Sequence, residues 1–300
     1  GGEKIMLKVL RGKGTVSKPC ALLLGGFDGF HIGHETLLER AKTTGLPVGL
    51  TTISGGKQGG DLFTFSEREE IFKRLGFSFV WEIEFSESFR NTTAEDFLSA
   101  LFRLIDAKAI FCGKDFRFGK DALGTPELLE KLAPCPVAAL PLKMEGNEKI
   151  ATGTVKKLLT AGDLQRVNRI LSGGFFVRGI VERGRGVGHT YGFPTLNLSY
   201  PKEKFALKQG VYSGTVKTDE GVFLAIVNFG ARPTFGVAER KAEAYLKGFQ
   251  GDLYGKTVEI YPRRFLREIQ TFPSQEALKE QLGRDVMSLE EEYDQIRTER

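Results

Sequence analysis

The strongest constraint in this 300-residue sequence is a change of rhythm near residue 172. Before it, the apolar runs ALLL (21–24), PVGLTTIS (47–54), VWEIEF (80–85) and KAIFCG (108–113) read as strands, with helical patterns between them. Parallel neighbours need a crossover, so strand and helix in alternation predict a doubly wound parallel sheet. Beyond residue 172, FFVRGIVERG, GVYSGTVKT, VFLAIVNFG, KAEAYLKGF and KTVEIYPRRF are separated by turns alone. That spacing predicts an antiparallel barrel or sandwich. A closing helix is expected from Ser274, just after Pro273, with Leu278, Leu282, Leu289 and Tyr293 on one face. The expected organisation is two domains, 1–171 and 172–300. The first includes a linking helix, TVKKLLTAGDLQRVNRIL (154–171), broken near Gly162-Asp163.

Helix starts punctuate the first half. Ser66 with Glu69 has the spacing of a capping box, ahead of an apolar face of Ile71, Phe72 and Leu75. Thr93 with Asp96 repeats that logic, and Thr125-Pro126 places proline in a first turn. The net charge of +5 suits an anionic ligand such as a nucleotide phosphate. Lys and Arg are spread along the chain without aromatic interleaving, which speaks against nucleic acid as the partner. Three scattered cysteines point to a reducing compartment, the cytoplasm, and no apolar run approaches the length of a membrane span.

Two of the three histidines, His31 and His34, stand one turn apart in GGFDGFHIGHETLL (25–38). Zinc would need further ligands, and neither a CxxC pair nor a nearby third histidine supplies them. The segment follows a predicted strand and opens a predicted helix. Ligands bind at the carboxyl ends of parallel strands, where helix amides are free and glycine lets a phosphate approach. His31 and His34 are therefore expected to donate to phosphoryl oxygens from one face, with Gly26, Phe27, Asp28, Gly29 and Gly33 completing the turn.

Downstream, GRGVGHTYGFPTLNL (184–198) combines a glycine loop (Gly184, Gly186, Gly188, Gly192) with PTxN. Thr195 and Asn197, two apart, face the same way on an extended segment. A hydroxyl and an amide oxygen so placed suit magnesium held jointly with substrate phosphates. The residues alone point more simply to a turn entering a strand, with Asn197 bonding the backbone.

GGFDGFHIGHETLL together with GKDFRFGKDALG (113–124) and TAEDFL resembles the adenylyltransferase half of bacterial bifunctional riboflavin kinase/FAD synthetases. GFPTLN, GVYSG, NFGARPTF, AEAYL and DLYGKTVEI resemble the kinase half, in the family's order. The resemblance implies a Rossmann-like nucleotidyltransferase domain followed by a six-stranded antiparallel barrel with a C-terminal helix. It implies that riboflavin is phosphorylated by ATP to FMN, and that FMN is adenylylated to FAD with release of pyrophosphate. Magnesium would accompany ATP, and the flavins are substrate and product. It also implies that Asp115 and the turn Phe116, Arg117, Phe118 and Gly119 hold nucleotide, that Thr195 and Asn197 bind MgATP, and that Glu243 is the general base.

Three stretches depart from the family's pattern. The first is IATGTVK, where the family usually has ISSTxIR; Thr152 remains, and Lys156 keeps the charge without an arginine's fork. The others are His189 with Tyr191 for the usual arginine and leucine, and Tyr245 for histidine. The first departure leaves open a kinase whose adenylyltransferase has decayed. A basic RNA-binding protein without activity is the more remote alternative.

Overall fold

The computed structural model describes residues 7–11, 14–141, 143–183, 195–234 and 237–298. The chain forms two compact units, Gly1–Thr154 with Ile170–Ser172, and Val155–Arg169 with Gly173–Arg300.

The first unit is built on a six-stranded parallel sheet, ordered β1 (Lys8–Arg11), β4 (Phe79–Glu84), β3 (Val48–Ser54), β2 (Val16–Leu23), β5 (Ile105–Gly113), β6 (Val137–Leu140). The four predicted strands are its centre. The short edge strands β1 and β6 flank them, and a separate two-stranded antiparallel pair, β7 (Met144–Glu145) and β8 (Glu148–Lys149), follows β6 in the chain. From β2 the chain winds one way to β3 and β4, then jumps to β5 on the opposite side of β2. The topological switch point therefore falls between β2 and β5. Helices α1 (Ile32–Lys42), α2 (Phe65–Arg74), α3 (Glu87–Arg90), α4 (Ala94–Leu104) and α5 (Pro126–Leu132) connect the strands. Leu22, Leu24, Leu101, Ile110 and Leu129 are buried in one cluster, so α4 and α5 pack their apolar faces on the sheet.

The caps at Thr93 and Thr125 form as expected: Asp96 N–H donates to Thr93 Oγ1 at 3.1 Å, and Leu128 N–H to Thr125 Oγ1 at 3.2 Å. The cap of α2 corrects the sequence reading. It is Thr64 rather than Ser66, with Glu67 N–H donating to Thr64 Oγ1 at 3.3 Å and Thr64 N–H to Glu67 Oε2 at 2.9 Å. Thr64 is buried and Ser66 exposed, so burial of the preceding Leu62 and Phe63 selected between two overlapping capping-box windows.

The second unit is a nearly closed antiparallel barrel. Its strand order is β10 (Thr195–Ser199), β13 (Val237–Leu246), β12 (Val222–Thr234), β11 (Gly210–Lys217), β14 (Thr257–Arg267), β9 (Val177–Ile180). The Glu182 N–H donates to the Asn197 carbonyl at 2.8 Å, drawing the chain just past β9 back to β10. The linking stretch breaks where expected, into α6 (Thr152–Ala161) and α7 (Leu164–Ile170), with Gly162 at φ +79°. Most of it packs with the barrel rather than with the sheet: Lys208 N–H donates to the Leu159 carbonyl at 3.0 Å, and Asn168 Nδ2 to the Pro262 carbonyl at 3.0 Å. The closing helix α8 (Gln275–Thr298) rests Leu289 on Val211 and Ile226. Tyr293, also expected on that face, is half-exposed and lines a small hollow with Leu224 and Leu289. Arg267 holds the helix through Asp285, with Nη2 to Oδ2 at 2.8 Å.

Two candidate active sites

The first site lies at the carboxyl ends of β2 and β5. The turn after β2 is clipped to β3: Thr51 Oγ1 donates to the Gly25 carbonyl at 2.7 Å, and Thr52 Oγ1 to the Phe27 carbonyl at 2.9 Å. Phe27 adopts φ +33°, a conformation that a bulky side chain rarely takes. Its ring meets His34 edge-on at 4.8 Å, and Phe30 lies 5.3 Å from the same imidazole. His31 is the N-cap of α1 and His34 lies on its first turn, so both rings sit where the dipole and free amides favour anions. The rings stack, with centroids 3.5 Å apart and planes at 19°. A side chain on Gly33 would meet the His31 ring at 2.9 Å, so glycine between the histidines makes the stack possible.

Burial lowers the His31 pKa to about 4. Burial, and then the neighbouring His31, push His34 well below the ordinary histidine value. Both imidazoles are neutral at pH 7 and each offers one N–H. His31 Nδ1 is buried and has no hydrogen-bond partner among the described residues. From behind, the chain returns over this turn: Ser172 N–H donates to the Phe30 carbonyl at 2.9 Å, and Ser172 Oγ to Glu35 Oε1 at 2.8 Å.

Of the expected nucleotide contacts, Asp28 sits in a buried ion network. Arg68, fully buried, reaches Asp28 at 2.6 Å and Asp61 at 2.7 Å, and donates to the Phe63 and Ile53 carbonyls at 3.0 and 2.7 Å. Lys57 lies 3.2 Å from Asp28, and the Leu62 N–H donates to the same carboxylate. The network pins the loop 55–63 to Gly26–Gly29, and sequence reasoning did not find Arg68, Asp61, Thr51 or Thr52.

The second motif follows β5, across the switch point from the histidine turn. Phe118 and Gly124 exchange both backbone hydrogen bonds, at 3.2 and 2.7 Å, and Phe116 stacks on Phe118 at 5.4 Å. Gly119 has φ +74°, and a Cβ there would fall 2.6 Å from the Ala94 backbone. Arg117 is exposed, as is Asp115, whose carboxyl is held below its usual range by hydrogen bonding and charge from Lys149. Thr152 is the first residue of α6, whereas Lys156 belongs to the second unit, its ammonium 5.0 Å from the Phe205 ring.

The second site lies on one face of the barrel. Asn197 on β10 and Asn228 on β12 both pair in register with Glu243 on β13. Residues directly opposite on antiparallel strands project to one face, so Asn197, Glu243 and Asn228 form a row. Thr195, two residues from Asn197, donates from Oγ1 to Glu243 Oε1 at 2.8 Å. Thr195 and Asn197 thus do face the same way. Tyr245 pairs with Thr195. The neighbouring cations are engaged elsewhere: Lys241 contacts Glu182 at 2.8 Å and Ser199 at 2.6 Å, and Arg240 donates to the carbonyls of Pro201, Lys202 and Lys204. Gly184, Gly186, Gly188, Gly192, His189 and Tyr191 lie outside the described residues.

Comparison with known proteins bears on both sites. The family described as FAD synthetase matches residues 13–153, and the family described as riboflavin kinase matches residues 171–292. A bifunctional riboflavin kinase/FMN adenylyltransferase of Buchnera aphidicola subsp. Acyrthosiphon pisum is 28% identical over 96% of this chain and 98% of the relative. The protein of that name from Escherichia coli K12 is 29% identical over 95% and 97%. A crystal structure described as a macrolide-efflux protein from Streptococcus pneumoniae superposes with a TM-score of 0.84 at 26% identity, covering 95% of this chain and 99% of that one. Among the described residues, no helix is long and apolar enough to cross a membrane. One family matches the parallel-sheet half and the other the barrel half, and relatives carrying both names match nearly the whole chain. The chain belongs to the bifunctional riboflavin kinase/FAD synthetase family, a kinase and a nucleotidyltransferase of flavin cofactor biosynthesis in one polypeptide.

Proposed function

We propose that the barrel phosphorylates riboflavin to FMN through Glu243, and that the parallel-sheet unit adenylylates FMN through His31 and His34. The observation that carries this reading is the Thr195–Glu243 hydrogen bond of 2.8 Å, beside Asn197 in the cross-strand row. A ribityl hydroxyl is a weak nucleophile and needs a base within reach. Glu243 takes its proton as the oxygen attacks the γ-phosphorus, and the bond to the β-phosphate oxygen breaks to release ADP. Thr195 orients the carboxylate by donating one hydrogen, which leaves the hydroxyl's lone pairs available to a cation. The side-chain oxygens of Thr195 and Asn197 are donors that a hard cation accepts. Magnesium held there with ATP would offset polyphosphate charge and orient the phosphorus under attack.

The other transfer has a different demand. The nucleophile is the phosphate of FMN, already anionic, so no base is required. An FMN oxygen bonds to the α-phosphorus of ATP, pyrophosphate leaves, and charge builds on the phosphoryl oxygens. Neutral imidazole N–H groups and helix amides stabilise that charge without themselves bringing a repelling anion. Asp115 and the turn 116–119, across the switch point, are assigned to the nucleotide. Thr152 and Lys156 are assigned to the phosphate side, with charge retained at the position of the usual arginine. Three free thiols accord with action in the cytoplasm.

Incubating the protein with riboflavin, ATP and magnesium and separating the products tests the reading. FMN and then FAD are expected. FMN alone would mean that the first site has decayed, and neither product would overturn both assignments.

A further inference from the structure

Asn228 has no role so far. It stands opposite Glu243 on the side away from Asn197, completing the row. Its Oδ1 is buried without a hydrogen-bond partner among the described residues. A buried acceptor left unpaired costs about 1–3 kcal/mol, so such an oxygen on the face of a site calls for a donor from the ligand. Close packing beside it requires a residue without a side chain at Gly230. A Cβ on Gly230, two residues along the same strand and on the same face, would sit 3.7 Å from Oδ1 and 3.1 Å from Ile269 Cδ1.

We infer that Asn228 is a substrate-positioning residue, accepting at Oδ1 a hydrogen bond from a second hydroxyl of the polyol chain whose terminal hydroxyl Glu243 deprotonates. The inference rests on the proposed role of Glu243. It follows from chemistry: a polyol presents donors at successive carbons, and the row presents two acceptors side by side on adjacent strands. With MgATP assigned to the Thr195–Asn197 side of Glu243 by the proposed function, the Asn228 side is left to the sugar alcohol.

The test uses the full chain, with steady-state FMN formation from riboflavin and from analogues lacking the 3′ or the 4′ hydroxyl. Asn228→Leu should lower kcat/KM for riboflavin by about 10- to 100-fold, leave the KM for ATP within about twofold, and leave FMN adenylylation unchanged. For one of the two analogues, the unmodified enzyme should be as poor as the variant is on riboflavin, with no further loss in the variant. An unchanged riboflavin kcat/KM, a raised KM for ATP, or equal further losses on both analogues would overturn the inference. If Asn228→Leu does not fold, the unmodified enzyme decides alone: both analogues used as well as riboflavin would reject the role. Glu243→Gln in the same assay separates the two ideas, because retained FMN synthesis there removes the base while the Asn228 readout stands.

Discussion

The two units apply different chemistry to the same reagent. The parallel-sheet unit gathers a helix start and two neutral, stacked imidazoles at a switch point. The barrel presents a carboxylate flanked by a hydroxyl and two amides along three strands. The difference follows the nucleophile: an anionic phosphate needs only charge stabilisation, whereas an alcohol needs a base. Sheet geometry suits each case. Parallel strands end together and feed helix starts, which makes an anion cradle; antiparallel neighbours align side chains in register, which holds a carboxylate between its partners.

The sharpest way to break the comparison is to disable one chemistry at a time. Glu243→Gln should lower FMN formation by about 10²- to 10⁴-fold and leave conversion of added FMN to FAD nearly intact. His31→Ala with His34→Ala should do the reverse, by about 10²- to 10³-fold. Loss of both steps in a folded protein from either change would mean that the units do not act separately.

A structural contrast comes next. The first unit carries its ion network inside, with Arg68 between Asp28 and Asp61. Arg68→Leu should destabilise that unit by about 3–5 kcal/mol, because it leaves two buried carboxylates with Lys57 as their shared cation and backbone amides in place of the guanidinium. The only tryptophan, Trp81, is on β4, so its fluorescence reports unfolding of the first unit alone. Barrel function, read as FMN formation below the new midpoint, should persist.

The smallest effect is in pH. The His31 pKa is about 4 in the fold against an ordinary 6.5, so the fold favours the neutral ring. That contribution is complete above pH 6.5 and is lost as pH falls from 6.5 through 4. The Trp81-detected unfolding free energy should therefore fall on acidification through this window by about a few kcal/mol at most, and His31→Gln should flatten the slope.

Much of this was legible in the sequence because it is written locally. Alternation pointed to both fold classes, and the place of GGFDGFHIGH between strand and helix pointed to the first candidate site. What was not legible depends on partners far along the chain. Asp28 in a glycine turn reads as a ligand contact until Arg68, forty residues on, is seen to take its charge. Thr64 and Ser66 both satisfy a capping pattern, and burial of the residues before Thr64 decided between them. The edge strand β1 is four residues, one of them Lys and one Arg, and it pairs with β4 some seventy positions away. Asn228 became visible only once strand register placed it beside Glu243.

The route of the linking stretch has a consequence for anyone dissecting the enzyme. The chain passes between units at 154–155, returns at 169–170 to lay Leu171 and Ser172 over the histidine turn, and leaves again at 172–173. The two activities are therefore interlaced in sequence. A cut at 154 takes from the nucleotidyltransferase unit the backing of its histidine turn, and a cut at 172 takes α6 and α7 from the barrel. Neither half can be excised cleanly with one break, so separating the functions calls for point substitutions rather than truncation.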